Sequence, residues 1–364
     1  MERKLNYIDY LVVISCISVV MLHANGVFWR HPTGRLWITS SLIECFFYFA
    51  VPIFFMISGA TLMNYRVRYN SKEYLIKRAK RTLIPYLFWS CFAFLFFLTF
   101  NKQGQLINLD SLRGGVDYSV IVNLPINIIN NKFMGVYWFF PPLFVCYFSI
   151  IILSNFSKNY KILYFIAIWI FVAQFVLPFC ANLFQVRINP VLTSSPMGSG
   201  FVLFIILGWI LSKNQLSNKC KFIIYLLGVL SLLARFTSLM FSPEAPAPIN
   251  KLFSGYLNVA TVFYSVAIFI LVKDVSPQIE NLINSISKKN IALGNMILSG
   301  LMTVRDCSLG IYLLHAYFTS KLVPFLGVNT SSIYYRTFGA LLIVCICCIL
   351  TLVIKKIPFL RNTV

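Results

Sequence analysis

The chain has 364 residues, of which 59% are apolar and only 11% are charged, and its mean hydropathy is +0.79. Soluble domains are nearer half apolar and a quarter charged, so these values exclude an ordinary soluble enzyme and indicate an all-α polytopic membrane protein. The formal net charge of +21 would suit a nucleic-acid-binding protein, but most basic residues lie in short loops between apolar segments, which argues against a nucleic-acid partner.

Apolar runs long enough for a membrane helix divide the whole chain into about ten transmembrane helices. Alternating the loops between the two sides places 21 basic residues on one side and nine on the other, with Arg235 inside a span. Short cytoplasmic loops carry the excess of Lys and Arg, so we expect both termini in the cytoplasm. We also expect a single integral-membrane domain over residues 1–364, without an appended soluble domain. The predicted spans are 8–28, 38–63, 83–100, 136–154, 162–179, 198–212, 222–241, 254–272, 307–323 and 337–354.

The first span carries a histidine on which the functional prediction depends. The run over residues 7–28, YIDYLVVISCISVVMLHANGVF, has Asp9 near one end and His23 near the other. An ionisable side chain in a span costs roughly a few kcal/mol, so it is kept mainly where a bundle interior or a watery cavity uses it. The alternative is a neutral imidazole satisfied by a neighbouring helix. His31, in the loop that follows, is interpreted as a solvated turn residue.

The second span and the loop after it supply further candidates. Glu44 lies in the outer third of this span, and Ser58-Gly59 near its inner end is typical of close helix contacts. The following loop is the most basic of the chain, and helical spacing in KEYLIKRAKRTLIPY places Arg78 and Arg81 three residues apart on one face. Two guanidinium groups there suit a phosphorylated ligand, although contact with anionic lipid headgroups explains them equally well.

The later spans hold few polar residues. Arg235 lies about six residues below the outer end of the seventh span, from where its side chain could snorkel to the interface. Its depth matches that of His23 and Glu44, so the alternative is a polar chamber that opens outward. His315 lies in the middle of the ninth span. The long external segment 101–135 is expected to include an interfacial or re-entrant element that could cover a site.

Five segments follow one another along the chain: YIDYLVVISCISVVMLHANG, VPIFFMISG, KRAKRTLIPYLFWS, VYWFFPPLF and SLGIYLLH. In this order they resemble the acyltransferase 3 family of multi-pass bacterial inner-membrane proteins, and the chain is similar to the branch that acetylates O-antigen or enterobacterial common antigen. The resemblance implies acetyl-CoA as the cytoplasmic donor and a glycan or lipid-linked oligosaccharide hydroxyl as the acceptor. It also implies an essential role for His23, donor binding by Arg78 and Arg81, and a late motif at Ser308 and His315.

One position departs from the pattern of that family. The family usually carries an arginine eleven residues before the histidine, and this chain has Val12 there. Either Arg305 or Arg235 supplies the missing charge, or the protein has an altered activity. A relative that has lost catalysis and acts as a partner protein is a further possibility.

We therefore predict a membrane O-acetyltransferase that moves an acetyl group from acetyl-CoA to a sugar hydroxyl, with His23 as general base and no bound metal. A histidine could instead carry the acyl group covalently. The alternative from another class is a secondary transporter or flippase for a glycan or small anion, which buried His, Glu and Arg residues would also suit. The further candidates are Asp9 and His315 for catalysis, Arg78, Arg81, Ser58 and Tyr137 for the donor, and Glu44, Arg235 and Trp138 for the acceptor.

Overall fold

The structure is a computed structural model and describes residues 5–99, 124–195, 197–241 and 252–364. Helices account for most of these residues, and no strand occurs among them. A helix is the one structure that satisfies its backbone hydrogen bonds within a single segment in lipid. The α-helices of six or more residues are α1 (Tyr7–Ala24), α2 (Gly34–Phe47), α3 (Ala50–Leu62), α4 (Ser71–Arg78), α5 (Ile84–Thr99), α6 (Leu124–Ile129), α7 (Phe140–Leu153), α8 (Tyr160–Phe171), α9 (Leu177–Phe184), α10 (Val202–Lys213), α11 (Asn218–Phe241), α12 (Val259–Lys289), α13 (Ile291–Asp306), α14 (Ser308–Tyr317) and α15 (Ala340–Lys356).

Several of these helices are long and apolar enough to cross a membrane, which confirms the all-α multi-pass architecture. Among the described residues there are seven such segments, or eight if α13 and α14, which meet at a bend of 71°, form one span. The predicted spans 83–100 and 198–212 correspond to the shorter helices α5 and α10. The count of ten and the location of the termini stay predictions.

Proline residues set two helix boundaries. The second predicted span is broken at residues 48–49, between α2 and α3. Pro52 explains the break because a proline ring collides with the carbonyl group four residues earlier, here that of Tyr48. Pro141 and Pro142 occupy the first turn of α7, where the missing N–H groups have no partner within the helix.

The tightest helix contact joins α3 to α10 and depends on two glycine residues. A Cβ atom on Gly59 would overlap the carbonyl group of Ile205, and one on Gly208 would overlap that of Met56. Only glycine lets the two backbones approach this closely, as small residues do in membrane helix pairs. The sequence prediction for Ser58-Gly59 named the correct site of close approach.

The segment 273–306, predicted as a loop, is helical instead. α12 continues to Lys289, and Asn290 caps α13 by accepting a hydrogen bond of 3.0 Å from the Leu293 N–H. Gly294 packs directly against Ser287, which lets the two helices fold back on each other. Of the external segment 101–135, residues 101–123 lie outside the described part of the chain, and α6 follows them.

α1 is the central helix of the bundle, because it packs against α2, α3, α12, α13, α14 and α15. Its start lies beside Lys273, whose ammonium group is 5.9 Å from the Tyr7 ring and donates to the carbonyl groups that end α10. We call this the basic end of the bundle, since the loops at 64–82 and 213–221 are rich in Lys and Arg. The last turn of α1, with His23, lies at the opposite end.

Candidate active site

The capped start of α1 and its long packed body hold His23 in place. The Asn6 side chain accepts a hydrogen bond of 3.2 Å from the Asp9 N–H, and the Asp9 carboxylate accepts one of 2.9 Å from the Asn6 N–H. This reciprocal capping box fixes where the helix begins. His23 as a residue is partly exposed, whereas the residues on either side of it are buried. A capped and packed helix therefore holds His23 in a fixed position.

His315 from α14 faces His23, and their ring centroids are 5.0 Å apart. His315 is fully buried, and its Nδ1 lies 3.0 Å from the Ile311 carbonyl oxygen. Since a carbonyl can only accept a hydrogen bond, Nδ1 carries the proton and Nε2 is left with a free lone pair. That Nε2 has no partner among the described residues. Ser308 begins the same helix, and its carbonyl group faces the Cys16 thiol at 3.9 Å.

Asp9 is not brought to the two imidazole rings. It lies fourteen residues before His23 on one helix, which is about 21 Å at 1.5 Å per residue. Its carboxylate instead accepts a hydrogen bond of 3.3 Å from Arg305, which also binds Asp306 at 2.8 Å. Of the two cations proposed to replace the arginine missing at Val12, Arg305 is the one that binds α1.

Arg78 and Arg81 point to different surroundings. Arg78 ends α4, and Arg81 lies within the π-helix Ala79–Leu83 that follows, so they do not share a face as residues i and i+3 of an α-helix do. The Arg78 guanidinium lies about 6 Å from the rings of Tyr74 and Tyr147, and its buried Nε has no partner among the described residues. Arg81 is exposed. Burial raises the pKa of Tyr74, whose protonated hydroxyl donates to the Tyr147 carbonyl at 3.3 Å.

Ser58 and Tyr137, the other donor candidates, differ in position. Ser58 donates to the Phe54 carbonyl of its own helix at 3.0 Å and is only partly buried. Tyr137 is buried and donates to the Leu313 carbonyl at 2.9 Å, while the Tyr312 hydroxyl donates to the Val136 carbonyl. These reciprocal bonds fasten the turn before α7 to the helix that carries His315. Tyr137 therefore supports that helix.

The three acceptor candidates are joined through two tyrosine residues. The Arg235 guanidinium lies 3.4 Å from the Tyr48 ring centroid, Tyr48 stacks on Tyr256 at 4.2 Å, and Tyr256 stacks on Trp138 at 5.3 Å. Glu44, one turn before Tyr48 on α2, is buried and interacts electrostatically with Arg235. The result is a column of stacked aromatic rings with a buried cation and a carboxylate at one end.

A small cavity adjoins this column. It is lined by eight residues that include Tyr48, Ser231, Arg235, Thr261 and Tyr264. The Arg235 Nε beside it has no partner among the described residues, whereas its Nη1 donates to the Phe253 carbonyl at 3.0 Å. No group of three or more His, Cys, Asp or Glu side chains is arranged to hold a metal in the described ranges.

Comparison with known proteins identifies the family of this chain. A family model described as an acyltransferase domain matches residues 5–352, nearly the whole chain. The chain belongs to this acyltransferase family. Neither the curated proteins nor the solved structures give a match. Buried charged residues alone would suit a transporter as well as an enzyme. Membership of this family favours the enzyme.

The sequence analysis missed one buried cation of this acyltransferase. Arg336 lies just before the predicted span 337–354, but its side chain is 1% exposed and donates to Asn25, two residues after His23. The available signal was an arginine next to the apolar start of the last span. Tyr256, the link between Tyr48 and Trp138, was also missed, since its contacts are with residues far away in the sequence.

Proposed function

We propose that this membrane acyltransferase transfers an acetyl group from acetyl-CoA to a hydroxyl of a surface polysaccharide or its lipid-linked precursor. The observation that supports the proposal is the pair of neighbouring imidazoles, one of them on a partly exposed residue, within the acyltransferase bundle. Transfer from a thioester to an alcohol needs a base for the hydroxyl proton and a site where both substrates meet. The bundle supplies a candidate for each.

In the proposed reaction the sugar hydroxyl oxygen attacks the thioester carbonyl carbon, and the carbon–sulfur bond breaks. His23 takes the hydroxyl proton and passes it to the departing sulfur, so that coenzyme A leaves as a thiol. An imidazole suits this role because its ordinary pKa is near neutrality. His315 then acts as the fixed neighbour, since its Nε2 lone pair has no partner among the described residues and its Nδ1–H is held by the Ile311 carbonyl.

Arg78 is the better supported of the two donor arginines. Its partly buried guanidinium keeps an N–H group without a partner among the described residues, at the basic end of the bundle. A phosphate of the donor would satisfy that group by a charge-assisted hydrogen bond. The pantetheine arm would then run along α1 toward His23. In this proposal the basic end faces the cytoplasm of a bacterial inner membrane, where acetyl-CoA is made.

The column of Tyr48, Tyr256 and Trp138 is the proposed acceptor site. Aromatic faces offer flat apolar surfaces to the C–H faces of a sugar ring, and Tyr256 and Trp138 both remain partly exposed. Glu44 and Arg235 at the end of the column would bind sugar hydroxyls by hydrogen bonds. α2, which carries Glu44, packs against α1, which carries His23, so the proposed donor and acceptor paths can converge on α1.

The test is acetyl transfer by membranes that contain the His23→Ala variant. With radiolabelled acetyl-CoA, we expect the label in glycan to fall at least about 100-fold, the usual contribution of a general base. His31→Ala is the matched control, because His31 is exposed in the turn after α1 and should leave transfer unchanged. An active His23→Ala protein would remove the base assignment. If wild-type membranes gave no labelled glycan, either acetyl-CoA would not be the donor or a glycan would not be the acceptor.

A further inference from the structure

Arg336 has a buried cationic group with only neutral partners among the described residues. Its Nη1 donates to the Asn25 side-chain oxygen at 3.1 Å, and its Nη2 donates to the Thr39 hydroxyl at 2.8 Å. Its Nε has no partner there, and the side chain is 1% exposed. Asn25 in turn donates to the Ser40 carbonyl at 2.8 Å. One guanidinium therefore ties the end of α1 and the start of α2 to the turn that begins α15.

The position of this cation explains why it is tolerated. Burying a charged group is costly unless nearby groups stabilise it. Asn25 is the residue at which α1 ends, so Arg336 lies at the negative end of the α1 dipole. Arg336 also belongs to a π-helix, Tyr335–Gly339, an unusual geometry that occurs frequently at functional sites. A simple tie between helices would need neither the charge nor this geometry.

We infer that Arg336 is a positioning residue for His23. The ring of His23 leaves the last turn of α1, two residues before Asn25, so the Arg336–Asn25 bond fixes the turn that orients it. The Arg336–Thr39 bond stops that turn from shifting relative to α2. Together, these two hydrogen bonds keep the His23 ring directed at His315. This inference rests on the proposed role of His23 as the base.

The test compares Arg336→Lys, Asn25→Ala and Thr39→Val in purified protein. Lysine keeps the charge but cannot donate from two nitrogen atoms in a fixed fork. Misplacing a catalytic group by about 1 Å can cost about 100-fold, so we expect kcat to fall by about 10- to 100-fold in Arg336→Lys. The KM for acetyl-CoA should stay constant, since the donor binds at the basic end. Arg35→Lys, an exposed arginine at the same end of the bundle, is the control.

A second measurement does not depend on activity. Diethyl pyrocarbonate modifies accessible imidazoles, and mass spectrometry compares the labelling of His23 with that of His31 in the same molecule. We expect Arg336→Lys and Asn25→Ala to change this ratio severalfold and Arg35→Lys to leave it unchanged. If His23→Ala retained acetyl transfer, the proposed role of His23 as the base would fail, but this ratio would still show whether Arg336 orients the ring.

Three results would overturn the inference. The first is full kcat in Arg336→Lys and Asn25→Ala. The second is an unchanged His23 labelling ratio in both variants. The third is a fall in kcat that matches a loss of folded protein in size-exclusion chromatography, because Arg336 would then be only structural. Thr39→Val nearly preserves side-chain volume, so it keeps the test decisive if a larger change prevents folding.

Discussion

Three arginine residues, Arg78, Arg235 and Arg336, keep a buried Nε–H that has no partner within the described ranges. An unsatisfied buried donor costs about 1–3 kcal/mol, so each group needs a reason to persist. Arg235 has Tyr48 and Glu44 beside it, and Arg336 is held by Asn25. Arg78 differs from both because it lies at the basic end of the bundle. It is therefore the arginine best placed for a phosphate group.

The first prediction separates Arg78 from Arg81. A lysine keeps the charge but loses the planar fork, so Arg78→Lys should raise the KM for acetyl-CoA by about 10-fold or more, as expected for a lost charge-assisted hydrogen bond. Arg81→Lys should change this KM by less than about threefold, since Arg81 is exposed and its charge acts through solvent. The measurement is initial-rate kinetics over a range of acetyl-CoA concentrations.

The control for this prediction is Arg361→Lys, an exposed arginine near the chain end that should leave the KM unchanged. Equal effects of Arg78→Lys and Arg81→Lys would show that the two groups act together as a fork although Arg81 lies in a π-helix. If neither change affected the KM for acetyl-CoA, both arginine residues would serve only as determinants of membrane topology.

At the scale of helices, apolar runs predicted where most elements lie, and tertiary contacts decided how they end. The π-helix after Arg78 is not visible in KRAKRTLIPY, which fits a regular α-helix equally well. The helical fold of 273–306 depends on Lys273 binding the end of α10 and on Gly294 packing against Ser287. Both contacts join residues whose pairing no local pattern specifies.

Prediction of the candidate site from the sequence has the same limit. The sequence indicated His23 because an ionisable residue in an apolar span is unusual, and the same argument indicated Glu44, Arg235 and His315. It could not show that His23 faces His315, which is 292 residues later, or that Arg336 binds Asn25. The chemistry of single residues is readable from the sequence, whereas their pairing depends on how the helices pack.

The second prediction concerns the contact between α3 and α10. Gly59→Ala should lower the melting temperature of the purified protein by several degrees, because the new Cβ meets the rigid backbone carbonyl of Ile205 and overpacking costs about 1–3 kcal/mol. Gly300→Ala in α13 is the matched control, since nothing lies within 4 Å of its added Cβ. There the change should be neutral or slightly stabilising, because alanine favours helix. Equal melting temperatures for both variants would contradict this view of the α3–α10 contact.

At the scale of the whole molecule, the bundle has two different ends. One end is rich in basic residues and contains the start of α1, and the other contains the end of α1. The 21 basic residues assigned to one side include those in the loops at the basic end, where α1 begins. The opposite end, where α1 finishes at His23, has fewer basic residues. If the basic end is cytoplasmic, the donor enters there and the imidazole pair lies nearer the other face. The proposed reaction therefore requires one specific orientation in the membrane.

The third prediction tests that orientation with a membrane-impermeant maleimide. Cys220, exposed at the start of α11 on the basic end, should react in inside-out vesicles and stay unlabelled in intact cells. An Arg35→Cys substitution at the start of α2 should give the reverse pattern, because Arg35 is exposed at the opposite end. Cys220→Ser removes the signal of Cys220 and shows the labelling that comes from the other cysteines, so it serves as the control for both measurements. Labelling of Cys220 in intact cells would place the basic end outside, where no acetyl-CoA is available, and the proposed direction of acetyl transfer would then be wrong.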